Sequence, residues 1–316
     1  MNLKVTFSVI TLLFLIQFSF AQEKIVTKLP DSTSNWEKKH KIGFDISETA
    51  FMNWNAGGNN SISGLLKGVF TRSYKYEHLK WNNELIVRYG VNKQDGLEIR
   101  KTDDVLQYNS TFGYRTDTIS KWFYSAKLNF NTQFTDGYAY PNTEKAISQF
   151  FAPAYLFLGI GTEYIDKKNK FNFYLSPLTQ KTTFVLNQRL ANEGAYGVTK
   201  AIYDEFGNLT RKGHKTRTEL GVLVSGQHKD EVFKNMVLEN RLSLYSDYLN
   251  KFGNIDVNWQ MQLDLVVNKY VKANVGTHLI YDDDIKAKEE INGEQVTLGP
   301  KVQLKQILGV GLEYVF

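Results

Sequence analysis

From Lys41 to the end of the chain, apolar and polar side chains alternate one by one. That is the period of a strand whose two faces meet different surroundings. Ile255, Val257, Trp259, Met261, Leu263, Leu265 and Val267 point one way, and Asp256, Asn258, Gln260, Gln262 and Asp264 the other. Trp122, Tyr124, Ala126, Leu128, Phe130 and Phe134 alternate with Ser125, Lys127, Asn129, Asn131 and Gln133 in the same manner. The last stretch sets Leu304, Leu308, Val310, Leu312, Tyr314 and Phe316 against Lys305, Gly309, Gly311 and Glu313. No stretch after residue 41 keeps a helical period.

The alternation predicts strands near 41–54, 61–76, 79–92, 104–116, 122–134, 151–164, 170–186, 215–228, 235–248, 255–267, 271–282 and 302–316. A soluble β-sandwich alternates too, but its strands run about 5–6 residues. These are as long as, or longer than, the roughly 9–11 residues that cross a bilayer at a tilt. The joints also alternate, tight at Glu77-His78, 117–121, 165–169, 229–234 and 268–270, and mostly longer at 93–103, 135–150, 187–214 and 283–301. Outer-membrane barrels have short periplasmic turns and long external loops in this order. The expectation is an all-β chain, a transmembrane antiparallel up-and-down β-barrel of about twelve strands over 41–316. An even count puts both termini in the periplasm.

The N-terminus reads as an export leader. Lys4 precedes an apolar run from Val5 to Phe20, and Ser19 and Ala21 flank Phe20 as signal peptidase requires. The sequence predicts a signal peptide over 1–21, then a polar periplasmic segment over 22–40. Losing Lys4 lowers the formal charge from +5 to +4. No later run approaches the ~20 apolar residues of a spanning helix, and an exported chain that spans lipid without helices must close as a barrel.

Composition narrows the function classes. No Cys excludes a disulfide framework, a thiolate zinc site, a cysteine nucleophile and a lipidated N-terminal cysteine. Lys and Arg are mixed with Asp and Glu, which argues against nucleic acid as partner. With 14% aromatic residues at a mean hydropathy of -0.36, the rings need a specific place. Tyr76, Trp81, Trp122, Tyr124, Tyr164, Tyr314 and Phe316 fall beside the tight turns. Trp54, Phe134, Tyr138, Tyr140, Tyr248 and Tyr281 fall near the opposite strand ends. Two belts at the two lipid–water interfaces account for both groups.

Several stretches resemble a family of outer-membrane barrels from Bacteroidota known as domain of unknown function 3078. They are Trp54-Asn55-Ala56-Gly57-Gly58-Asn59-Asn60, Pro153 to Gly161, and Leu175-Ser176-Pro177-Leu178-Thr179. The resemblance runs from about residue 36 to the end and implies a Gram-negative outer-membrane protein, with no activity, cofactor or site residue attached. Leu312, Tyr314 and Phe316 resemble the C-terminal signal of barrels inserted by the outer-membrane assembly machinery, which that likeness makes a partner during insertion, with membrane lipid as the other. The residues themselves say that Gly57 and Gly58 form a tight turn. Gly159 and Gly161 leave room on one strand face, and Pro177 marks a bulge or break.

Chemistry is scarce. There is no EF-hand loop, P-loop or Rossmann fingerprint, so no cofactor or metal is implied. His278 with Asp282, Asp283 and Asp284 is the cluster with most catalytic character; His278 and Asp282 share a face and point into the lumen, yet stand ~13 Å apart along an extended strand. A solvated loop is the plain reading of the three aspartates, calcium the alternative. His40 precedes the first expected strand and reads as solvated. The inward face carries Lys67, Arg88, Arg115, Lys127, Arg217, Arg241, Lys272 and Lys305 against Asp45, Glu84, Glu163, Glu219, Glu239, Asp247, Asp256, Asp264 and Glu313, with His278 among them. Near-balanced signs point to ion pairs that fill or narrow the lumen. The expectation is a non-catalytic outer-membrane barrel, a narrow channel or an envelope scaffold whose external loops bind a protein or small solute. The alternative is a hydrolase of lipid or peptide at the external rim.

Overall fold

A computed structural model describes residues 35–50, 59–250, 252–291 and 294–316. The expected leader, most of the segment 22–40, Trp54 and the turn glycines Gly57 and Gly58 lie outside the described residues. Twelve antiparallel strands close into one barrel. They are β1 (Trp36–Thr49), β2 (Ser61–Tyr76), β3 (Leu79–Gln94), β4 (Arg100–Tyr114), β5 (Trp122–Thr132) and β6 (Ala154–Asp166). β7 (Phe171–Phe184), β8 (Thr216–Phe233), β9 (Met236–Asp247), β10 (Asp256–Val266), β11 (Val271–Tyr281) and β12 (Gln303–Val315) complete it. Each strand pairs with the next, and β12 returns to β1. Among the described residues no helix is long and apolar enough to cross a membrane.

Burial is inverted relative to a water-soluble protein. Asp45, Lys80, Asp103, Glu163, Lys181, Glu219 and Asn274 are buried inside the barrel. Phe112, Ile160, Leu178, Leu308 and Leu312 stand exposed on its outer wall, Leu308 at 76%. An apolar belt of this kind is stable only against lipid, where all backbone groups are satisfied by the closed ladder. The fold is therefore a transmembrane β-barrel. Trp122 packs on Tyr164 at 5.0 Å, and Trp36 on Tyr74 at 5.2 Å, both at the rim that carries the tight turns.

Strand bounds depart from the alternation most at β1 and β8; β1 also ends at Thr49 rather than 54, and β4 starts at Arg100 rather than 104. β1 starts at Trp36, not Lys41, because Trp36 to His40 pair with Tyr74 to Phe70. Lys38 and Lys39 put charge on both faces there, which erases the period. His40 is thus a strand residue, its ring 5.6 Å from Phe70 and 5.4 Å from Phe316, rather than a solvated one. β8 runs on to Phe233 past the expected end at 228, through the equally polar 229–231. The joint to β9 shrinks to Lys234-Asn235, where Asn235 takes φ 64°. Asparagine tolerates that left-handed turn position better than most residues.

Pro177 sits in a bulge of β7, where the register shifts against both β6 and β8. The kink brings backbones together, so a Cβ on Gly161 would stand 2.7 Å from the Cα of Ser176. Ser176 is fully buried, and its Oγ lies 2.9 Å from the carbonyls of Ile160 and Leu178 while accepting from Thr179 Oγ1 at 2.7 Å. Ser176→Ala strands these groups without water, and an unmet buried polar group costs about 1–3 kcal/mol. Urea unfolding followed by tryptophan fluorescence is expected to show a lower midpoint at unchanged slope, corresponding to that loss. An unchanged midpoint would mean the bulge holds without the hydroxyl.

Candidate functional site, the barrel lumen

Inward-facing side chains from all parts of the wall meet across the lumen. The widest span joins Glu84 on β3 to Arg241 on β9, six strands away on a twelve-strand ring, so the pair crosses the full diameter at 3.0 Å. Arg241 also holds Glu239 at 2.6 Å, and Glu84 accepts from Asn109 at 3.1 Å. Lys305 on β12 reaches Asp103 on β4 at 2.7 Å, and Arg88 binds the same carboxylate at 2.9 Å. Lys80 pairs with Glu163, which Asn172 supports at 2.7 Å. At the seam, Lys67 binds Asp45 at 2.7 Å, while Lys272 and Lys41 share Glu313.

Near the opposite rim Lys181 is a hub. Its Nζ lies 2.6 Å from Asp256, 3.1 Å from Asp282 and 3.7 Å from Glu219. Arg217 takes Glu219 at 3.4 Å and also Asp284. Asp282 is therefore buried in an ion-pair network, against the solvated reading. The carboxylates of Asp256, Asp282 and Asp283 come within 4.8 Å of one another, but the Lys181 ammonium already stands against the first two. His278 contacts Asn258 at 3.0 Å, not Asp282. Of the other expected lumen residues, Asp264 accepts from Gln262 at 2.8 Å, Asp247 accepts from Leu249 N at 2.9 Å and Asn250 at 2.6 Å, and Arg115 donates to the Ser120 carbonyl at 3.1 Å with its guanidinium 5.2 Å over Phe123. Lys127 donates to Ser225 Oγ at 3.3 Å and stands 4.8 Å over the ring of Tyr174.

Lys80, Asp103 and Lys181 are lumen charges that the sequence reading omits. Lys181 has a physical reason: the bulge at Pro177 shifts the phase of β7, so even-numbered Tyr174 and odd-numbered Lys181 both face inward. Tyr174 then packs with Leu223, Tyr245 and Phe157 into an apolar patch inside the lumen. Gly159 makes room for it, since a Cβ there would lie 3.0 Å from the Tyr174 hydroxyl.

Two long joints fold together over one rim. Segment 185–215 contains a short helix, α1 (Gln188–Asn192), capped by Asn187 Oδ1 accepting from Leu190 N at 3.1 Å. Leu190, Ala191, Val185, Val198 and Ala152 form an apolar core between this segment and 133–153. Tyr196 donates to the Ile147 carbonyl at 2.7 Å, and burial pushes its hydroxyl pKa up to about 12. Beneath, the lumen keeps a cavity of 1120 Å³, lined from Glu77 and Lys167 at the tight-turn rim to Tyr196 and Asp282 at the other. That volume would admit a small solute.

Geometry thus defines a transmembrane barrel with a polar, ion-paired lumen. A family model described as "Protein of unknown function (DUF3078)" matches residues 46–138, from within β1 to beyond β5, and supports the resemblance seen in the sequence. Pro153–Gly161 and Leu175–Thr179, which carry the same resemblance, lie past that match. No curated protein matches the chain. Among solved structures, an outer-membrane channel from Pseudomonas putida F1 is similar at 12% identity and TM-score 0.41, covering 94% of this chain and 100% of the other. The NanC porin is similar at 10% identity and TM-score 0.35, over 88% and 98%. The translocator domain of the autotransporter NalP from Neisseria meningitidis is similar at 9% identity and TM-score 0.34, over 90% of each chain.

Proposed function

We propose that this protein is a non-catalytic outer-membrane barrel that conducts small solutes through a narrow lumen. In this reading the tight turns and both ends of the chain face the periplasm, and Leu312 and Tyr314 on the outer face of β12, with Phe316 just after it, guide insertion. The observation that carries it is the cavity reaching from one rim to the other past the Glu84–Arg241 pair. A lumen filled by side chains would leave no cavity of this size. The hydrolase alternative requires a nucleophile and an orienting carboxylate beside its catalytic histidine; its candidate His278 contacts Asn258.

Refolded, heat-modifiable protein in a planar bilayer is expected to give discrete conductance steps. Glu84→Ala removes the pair that crosses the lumen, while Arg241 keeps Glu239 and stays neutralised. A constriction dominates the resistance of a pore, so the steps are expected to grow by a factor on the order of two. Silence from both folded proteins would overturn the channel reading.

A further inference from the structure

We propose that Lys127 anchors an anion-binding site inside the lumen, for a small solute with one carboxylate on a hydroxyl-bearing body. The site rests on the channel reading only for its access route.

The other cations deep in the cavity are neutralised: Lys80 by Glu163, Arg241 by Glu84 and Glu239, Lys181 by Asp256, Asp282 and Glu219. Among the described residues Lys127 forms no ion pair. Its contacts are one hydroxyl, Ser225 Oγ at 3.3 Å, and one ring face, Tyr174 at 4.8 Å. The nearest carboxylates, Glu163 and Glu84, already pair with Lys80 and Arg241, and a cation held away from bulk water is costly without a counter-charge of its own, so an anionic guest gains there what a neutral one does not. An ammonium–carboxylate hydrogen bond is stronger than a neutral one, which makes the charge the main discriminator.

The surroundings supply partners for hydroxyls. Tyr245 is 4% exposed and lines the same cavity, and its Oη, covered and without a hydrogen-bond partner, is free to turn toward a guest. It packs with Tyr174, the ring beneath Lys127, so the unmet hydroxyl and the unpaired ammonium belong to one wall. Ser243, whose strand partner is Ser225, also lines the cavity.

The entrance fits the same guest. At the tight-turn rim the cavity is lined by Arg115, Lys121, Lys167 and Lys168 against Glu77 and Asp166. Such an excess of cations steers anions inward. At the other rim carboxylates outnumber Lys181 and Arg217, which disfavours entry from that side.

Gluconate and glucose are the probes, alike in hydroxyls and different in charge. Calorimetry on the refolded barrel in micelles is expected to show gluconate binding and no comparable glucose binding. Lys127→Met, checked for folding by heat-modifiable gel mobility, is expected to weaken gluconate by about tenfold or more. Tyr245→Phe removes only the unmet hydroxyl, folds without penalty, and is expected to weaken gluconate by roughly threefold. Equal binding of the two sugars, no binding at all, or gluconate affinity unchanged in both variants would overturn the site. Bilayer recordings separate the two readings. A folded barrel that is silent yet binds gluconate through Lys127 keeps the site and loses the channel. One that conducts, with gluconate block unchanged in Lys127→Met, keeps the channel and loses the site.

Discussion

Lys181→Met is expected to destabilise the folded barrel by about 3–5 kcal/mol, the usual loss when one partner of a buried ion pair is removed. Lys181 is 3% exposed, and its ammonium is the nearest counter-charge to Asp256, Asp282 and part of Glu219. Methionine fills the same space with no charge, so three carboxylates face one another with Arg217 alone to compensate Glu219. Because the cluster is enclosed, salt screens it weakly. Urea unfolding in detergent, read by tryptophan fluorescence, is expected to show a lower midpoint at unchanged slope. Adding Asp256→Asn and Asp282→Asn to the same chain is expected to recover much of the loss by removing the stranded charge. A loss below about 0.5 kcal/mol, the range of ordinary surface changes, would mean the hub contributes nothing to stability.

The hub also ties the barrel wall to the rim loops. Asp282 and Asp284 follow β11, and Arg217 joins Asp284 to the carbonyl of Gly197 at 3.3 Å in the segment that carries α1. Strand, hub and loop core therefore share one network.

The strands were legible because lipid outside and charge inside give every wall residue a reason to alternate. The period fades where a strand leaves the membrane, since both faces then meet water: hence the missed start of β1 at Trp36 and the missed end of β8 at Phe233. Pro177 was legible as a bulge, but its consequence for phase was not, and Lys181 was lost with it. Inward charges could be read one strand at a time. Which of them meet could not, because Glu84 and Arg241 are 157 residues apart and depend on closure of the whole ring. Helix α1 spans only five residues, too few to show a period.

Closure itself has a weak point, and Gly311→Val is expected to break it. The seam between β1 and β12 holds six registered pairs, Lys41↔Val315 to Ile46↔Val310, where β1 and β2 hold fourteen. Gly311 faces the lumen opposite Asp45, and a Cβ there would stand 2.7 Å from the Asp45 Cα and against the Phe44 carbonyl. Overpacking costs about 1–3 kcal/mol where side chains can shift aside. Here the obstacle is backbone, so relief requires the strands to part. The Asp45 carboxylate, held by Lys67 at 2.7 Å and Asn274 at 3.2 Å, would be dragged from its partners as well. One or two kcal/mol changes a folded fraction by factors of about 5–30, and this loss is expected to exceed that. Refolding into detergent should leave Gly311→Val without the heat-modifiable band. Gly276→Ala is the control, since its Cβ meets the end of the Gln262 side chain at 3.3 Å and the Ile307 carbonyl at an ordinary 4.0 Å. Equal yields of folded barrel from the two variants would show that the seam can open by this much and still close.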